Sequence, residues 1–119
     1  VFGNGNSWIT GSTDAYAGIR FSTPQAVQGI ALARDKTGPY SDRTGGSITV
    51  QLTSLLGQDY AALVDAASAD WCSVGAAQTR SGHRSNYIAF SSPVTIASLR
   101  IHVAGDTGAC FDEIEIFAG

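Results

Sequence analysis

The sequence predicts an all-β fold, an antiparallel β-sandwich of the jelly-roll kind. Two observations carry this expectation. Apolar residues recur at every second position along several short runs, the period of a half-buried strand. Turn residues separate those runs, and no helix-length crossover of the kind a parallel sheet needs lies between them.

The runs follow one another along the chain. Ile19 and Phe21 share a face with Arg20 opposed. Ile30 and Leu32 alternate in VQGIALAR, and Ile48, Val50 and Leu52 alternate in SITVQL with Thr49 and Gln51 opposed. Ile88 and Phe90 follow, then Leu99, Ile101 and Val103 with Arg100 and His102 opposed. Ile114 and Ile116 alternate with Glu113 and Glu115 in the last run. Such alternation sets the apolar row inward and the polar row, here including Arg20, Arg100 and His102, toward solvent. Turns are expected at Thr23–Pro24, Gly38–Pro39, Gly45–Gly46, Ser92–Pro93 and from Gly105 to Gly108, giving seven or eight short strands. The alanine-rich stretch DYAALVDAASA (residues 59–69) breaks the pattern and suits a helical turn or two that caps one end. Trp8 and Trp71 are expected in the core.

The 119 residues suit one domain, residues 1–119, large enough to bury a core. Charged residues are only 14% and Gly, Ser and Thr are abundant, a composition that suits an extracellular domain. The net charge of −3 and the scattered arginines leave no basic stripe, which argues against a nucleic-acid partner. No apolar run approaches a transmembrane segment. No signal-peptide pattern is present and the sequence opens at Val1, as expected for a mature form or a domain cut from a longer protein. Cys72 and Cys110 fall at strand positions, so two readings stay open: a disulfide, or two buried thiols.

Ordered landmarks run through nearly the whole chain: GNGNSW (residues 3–8), AGIRFSTP, VQGIALARD, SITVQLTS, DWCSVG, YIAFSSPVTIASLRIHV and finally GACFDEIEIF (residues 108–117). Their order resembles the discoidin family, also called coagulation-factor C-type or galactose-binding-like domains, as in family 32-type carbohydrate-binding modules. The resemblance implies a galactose-binding-domain-like sandwich whose two ends meet, often around calcium. It implies a calcium site built from Asn4, Asn6, Ser7 and Glu113, fastening the chain ends. The family's N-terminal turn usually carries an Asp, and none stands between Gly3 and Trp8; Asp14 and Asp112 are the nearest candidates to add charge.

The resemblance further implies a non-catalytic lectin or carbohydrate-binding module. Sugar hydroxyls need hydrogen-bonding side chains, and apolar ring faces need aromatics. Two polar loops carry both. One holds Arg34, Asp35, Tyr40, Asp42 and Arg43; the other holds Arg80, His83, Arg84 and Tyr87. Loops at one end of a sandwich converge. Local salt bridges within the first loop are the plainer reading of its charges. The second reading of the domain is a structural or adhesive assembly protein, a coat or filament subunit, and a homo-oligomer or an appended position in a larger protein fits either. Catalysis is not expected. Asp112 and Glu113 point to opposite faces, Glu113 and Glu115 share a flat face, and neither pair makes a glycosidase cleft. No serine or cysteine sits in a nucleophile motif, and the two histidines lack zinc-ligand spacing with the cysteines.

Overall fold

The computed structural model describes residues 8–34, 43–54, 71–80 and 86–119. The 59–69 stretch, Gly38–Pro39 and the N-terminal turn lie outside them. Seven strands occur among the described residues: β1 (Trp8–Ile9), β2 (Asp14–Ala33), β3 (Ser47–Thr53), β4 (Cys72–Gln78), β5 (Asn86–Ala104), β6 (Cys110–Phe111) and β7 (Glu113–Ala118). All pairings are antiparallel. The strand order is β4-β3-β5-β2-β7, with a small β1-β6 sheet beside it.

Two long strands organise the sandwich. A straight strand of 20 residues would run about 66 Å, whereas the molecule's longest dimension is 39 Å, so β2 must bend. Its register with β5 shifts between Arg20 and Gln25 and again between Val27 and Gly29. β3 pairs only with the second part of β5, from Ser98 to Ala104. β7 pairs only with the second part of β2, from Val27 to Ala33. Each long strand therefore serves both layers: β4, β3, the end of β5 and the start of β2 form one, and the start of β5, the end of β2 and β7 form the other. Strands that change layer at bulges are a known way to turn a sandwich corner.

This corrects two expectations. Thr23–Pro24 and Ser92–Pro93 are not turns between strands; they lie inside β2 and β5. The physical reason is visible in the register. Pro24 falls in the gap after Arg20↔Ser98, and Pro93 in the gap between Ala89 and Val94, so neither missing N–H removes a ladder bond. The Gly45–Gly46 turn leads into β3, and the Gly105–Gly108 segment links β5 to β6. Gly46 and Gly105 have φ of 85° and 86°, a left-handed backbone that glycine adopts without strain.

The alternating rows pack as expected. Val27, Ile30, Leu32, Ile48, Val50, Leu52 and the rows of β5 form one buried cluster spanning both layers. Ile19 is the exception, 43% exposed. It points into an open apolar groove along one side of the sandwich, shared with Ile114 and Ile116.

Candidate functional site

One end of the sandwich gathers three of the predicted arginines. Arg34 follows the last residue of β2, and its Nη1 donates to Asp112 Oδ2 at 2.9 Å. The Asp112 N–H donates to the Ala33 carbonyl at 2.9 Å, so Asp112 is tied to the end of β2 twice over. Arg80 is buried. Its Nη1 donates to the Cys110 carbonyl at 2.6 Å and its Nη2 to the Arg43 carbonyl at 3.0 Å. Its guanidinium lies 3.9 Å above the Phe111 ring, a favourable cation–π contact. Burial lowers the Arg80 pKa to about 10, opposed by the nearby Cys110, and the group stays charged at neutral pH.

These bonds fix Arg43. Its carbonyl accepts from Arg80 and from the Cys110 N–H at 2.8 Å, and its φ of 58° is left-handed, a costly conformation for a non-glycine residue. Its side chain is exposed. Strained backbone over-determined by its surroundings is frequent at functional sites. Arg34 and Arg80 thus hold the frame, and Arg43 is an exposed residue carried on it. Asp35, Tyr40, Asp42, His83 and Arg84 lie outside the described residues.

Tyr87 is not a loop residue. It is the second residue of β5, in register with Ala31, and its ring meets Phe117 of β7 edge-on, with centroids 5.2 Å apart.

Near the other predicted site, Trp8 of β1 packs on Phe111 of β6, with centroids 5.4 Å apart. Trp8, Phe111, Asp112, Glu113 and Ile114 line a cleft of about 230 Å³ with Ala17. Glu113 opens β7 opposite Ala33. Its Oε2 is buried and has no hydrogen-bond partner among the described residues, an arrangement that costs free energy unless something pairs with it. Asn4, Asn6 and Ser7 lie outside the described residues. Asp112 is committed to Arg34, and the Asp14 carboxylate contacts His102 Nε2 across the strands. Among the described residues no group of three His, Cys, Asp or Glu side chains gathers to hold a metal.

Cys72 and Cys110 are free thiols, so the disulfide reading is corrected. Cys72 sits on β4 opposite Leu52, and Cys110 on β6 opposite Ile9, in different sheets. The reading of two buried thiols is half met: Cys110 is buried and Cys72 exposed.

Sequence reasoning also misread Arg100, expected on a solvated face. It has no exposed surface. Its Nε donates to Gln51 Oε1 at 2.6 Å, and its guanidinium lies 4.3 Å from the Tyr16 ring and 4.3 Å from the Trp71 ring. Tyr16 in turn stacks on His102 with centroids 4.5 Å apart. Trp71 is buried as expected, but over this arginine. Gly18 faces Arg100 in the register, and a side chain there would meet the Leu99 carbonyl oxygen and the Arg100 Cβ.

No protein-family model matches the sequence, and no curated protein matches it. Solved structures do. The chain is similar to chitosan-binding module 1 of a chitosanase/glucanase from Paenibacillus sp. IK-5, with a TM-score of 0.67 and 19% identity, covering 94% of this chain and 76% of that one. It is similar to the family 32 carbohydrate-binding module of Streptococcus pneumoniae EndoD, with a TM-score of 0.67 and 12% identity over 95% and 75%. An F5/8 type C domain from Bacteroides fragilis matches with a TM-score of 0.66 and 13% identity over 92% and 71%. At these identities the likeness is one of fold: the chain has the discoidin-like, galactose-binding-like β-sandwich that its sequence landmarks predicted.

Proposed function

We propose that this domain is a non-catalytic carbohydrate-binding module or lectin of a secreted or cell-surface protein. The observation that carries the reading is the fold match across most of the chain to a chitosan-binding module and to a family 32 carbohydrate-binding module. The arginine end supports it. Arg43 is exposed on a backbone braced by Arg80 and Cys110, and a guanidinium offers a planar fork of donors to sugar hydroxyls. Asp35, Tyr40, Asp42, His83 and Arg84 would complete the surface, Arg34 and Arg80 holding its frame. Affinity at one such site is weak, and several copies in one assembly would raise it.

We also propose calcium as a structural partner. The buried Glu113 oxygen supports this, since a hard cation is one group that would satisfy it. Asn4, Asn6 and Ser7 would supply further oxygens. The ion would fasten the chain's first turn to β7 and take no part in any chemistry.

The test is a glycan array screened with the purified domain in calcium and again in EDTA. Defined hits support the lectin reading, and hits lost in EDTA give calcium a functional role. An array blank in both conditions overturns the reading. The assembly-protein alternative draws on the apolar groove of Ile19, Phe21, Ile114 and Ile116, which a neighbouring subunit would cover. Sedimentation distinguishes the two: large sugar-independent assemblies favour the coat or filament subunit.

A further inference from the structure

The outer face of the layer formed by β7, the end of β2 and the start of β5 has an unusual make-up. Its middle strand places Gly29, Ala31 and Ala33 on that face. Tyr87 and Ala89 flank them from β5, and Glu113, Glu115 and Phe117 from β7. These three small residues are buried beneath their larger neighbours.

Tyr87 reaches across two of them. Its own position pairs with Ala31, yet its hydroxyl would stand 3.0 Å from a Cβ built on Gly29, two residues along β2. The ring's long axis therefore runs diagonally across the strand, and the residue is 53% exposed. Phe117, 38% exposed, meets that ring at an interplanar angle of 77°. The two rings form a T-shaped corner. Glu115 stands in the same row as Tyr87, across Ala31.

We propose that this aromatic corner is the stacking subsite for a pyranose ring of the bound glycan. The inference rests on the carbohydrate-binding reading and adds the surface that contacts the sugar's apolar face. The chemistry matches on three counts. A pyranose has one flat C–H face, which a tyrosine ring accommodates. Its edge carries a hydroxymethyl or acetamido group, which the phenylalanine can border. Its hydroxyls need polar partners at the rim, and Glu115 and the Tyr87 hydroxyl are placed there. The core of a protein–protein interface is depleted in charged residues, whereas Glu113 and Glu115 stand in the rows beside these two rings. The corner lies five residues along β2 from Arg34, so one oligosaccharide can reach from the arginine end onto it.

The test compares the intact domain with Tyr87→Ala, Tyr87→Leu, Tyr87→Phe, Phe117→Ala and Arg43→Ala. Each is screened on one glycan array, then titrated with methyl β-D-glucopyranoside, methyl β-D-galactopyranoside and the tetramer of N-acetylglucosamine. Tyr87→Ala, Tyr87→Leu and Phe117→Ala are expected to weaken binding about five- to tenfold, and Tyr87→Phe less than about twofold. Saturation-transfer NMR is expected to show the strongest transfer at the C–H groups of one sugar face, lost in Tyr87→Leu. If the intact domain and all Tyr87 and Phe117 variants bind equally while Arg43→Ala does not, the corner is not the subsite and the carbohydrate reading stands. If the intact domain binds nothing, both fall. If Phe117→Ala converts a dimer to a monomer without changing sugar affinity, the face is an interface and the proposal is overturned. Should Tyr87→Ala fail to fold, Tyr87→Leu and Phe117→Ala carry the decision.

Discussion

Arg100 and Arg80 show how the same residue type serves two kinds of burial. Arg100 lies between two rings with Gln51 on its Nε, and Arg80 bridges two carbonyls above a third ring. Planar guanidinium suits both places because it stacks and donates at once, which an ammonium cannot do. Arg100→Ala is expected to cost about 3–5 kcal/mol, because it opens a cavity between Tyr16 and Trp71 and strands the Gln51 oxygen. Arg100→Lys should recover only part of that loss. Urea unfolding at 25 °C checks both, and a loss within 1 kcal/mol for the alanine variant would sink the argument. The thiols give a second test. Cys72 is exposed and Cys110 buried, so a thiol reagent should titrate one group in the native domain and two in guanidinium chloride. Two native equivalents would show that Cys110 opens readily. Neither residue's setting was legible beforehand. Alternation assigns Arg100 to the polar row correctly, but it cannot say that Trp71 and Tyr16 cover that row.

At the scale of elements, the alternating rows were legible because period two is a property of the strand itself. The rows of β3 and β5 are buried as they predict. The long strands were not legible, since Pro24 and Pro93 signal a break in pairing and a turn equally well. Only the partner strands show that the chain continues through each break into the other layer. The close crossing of β2 and β5 makes its own prediction. A Cβ on Gly18 would come within 2.5 Å of the Leu99 carbonyl oxygen and 2.8 Å of the Arg100 Cβ. Backbone cannot give way as a flexible side-chain tip can, so Gly18→Ala is expected to destabilise by about 1–3 kcal/mol. Gly11 meets nothing within 4 Å, and Gly11→Ala should leave stability within about 0.5 kcal/mol. Thermal melts of the pair decide it: equal melting temperatures would mean that the strands separate at no cost.

For the whole molecule, the order of landmarks carried more than any single motif, and it led to the fold that the solved structures share. The site was less legible. Loop residues can be named from composition, but only the packing distinguishes Arg34 and Arg80, turned to Asp112 and to carbonyls, from the exposed Arg43. The proposed calcium is measurable through Glu113. Extracellular calcium sites bind at roughly 10⁻⁴–10⁻³ M. Calcium at about 10 mM would then add about 1.4–2.7 kcal/mol through mass action, raising the melting temperature by several degrees for a domain of this size. Glu113→Gln should act in opposite directions under the two conditions. In EDTA it removes the charge from a carboxylate whose buried oxygen has no partner among the described residues, so the variant should melt at or above the intact domain. In calcium it should gain nothing, and the intact domain should overtake it. Melting curves of both proteins in EDTA and in calcium suffice. If the intact domain melts at one temperature in both, no calcium fastens the ends, and the Glu113 oxygen must find its partner within the protein.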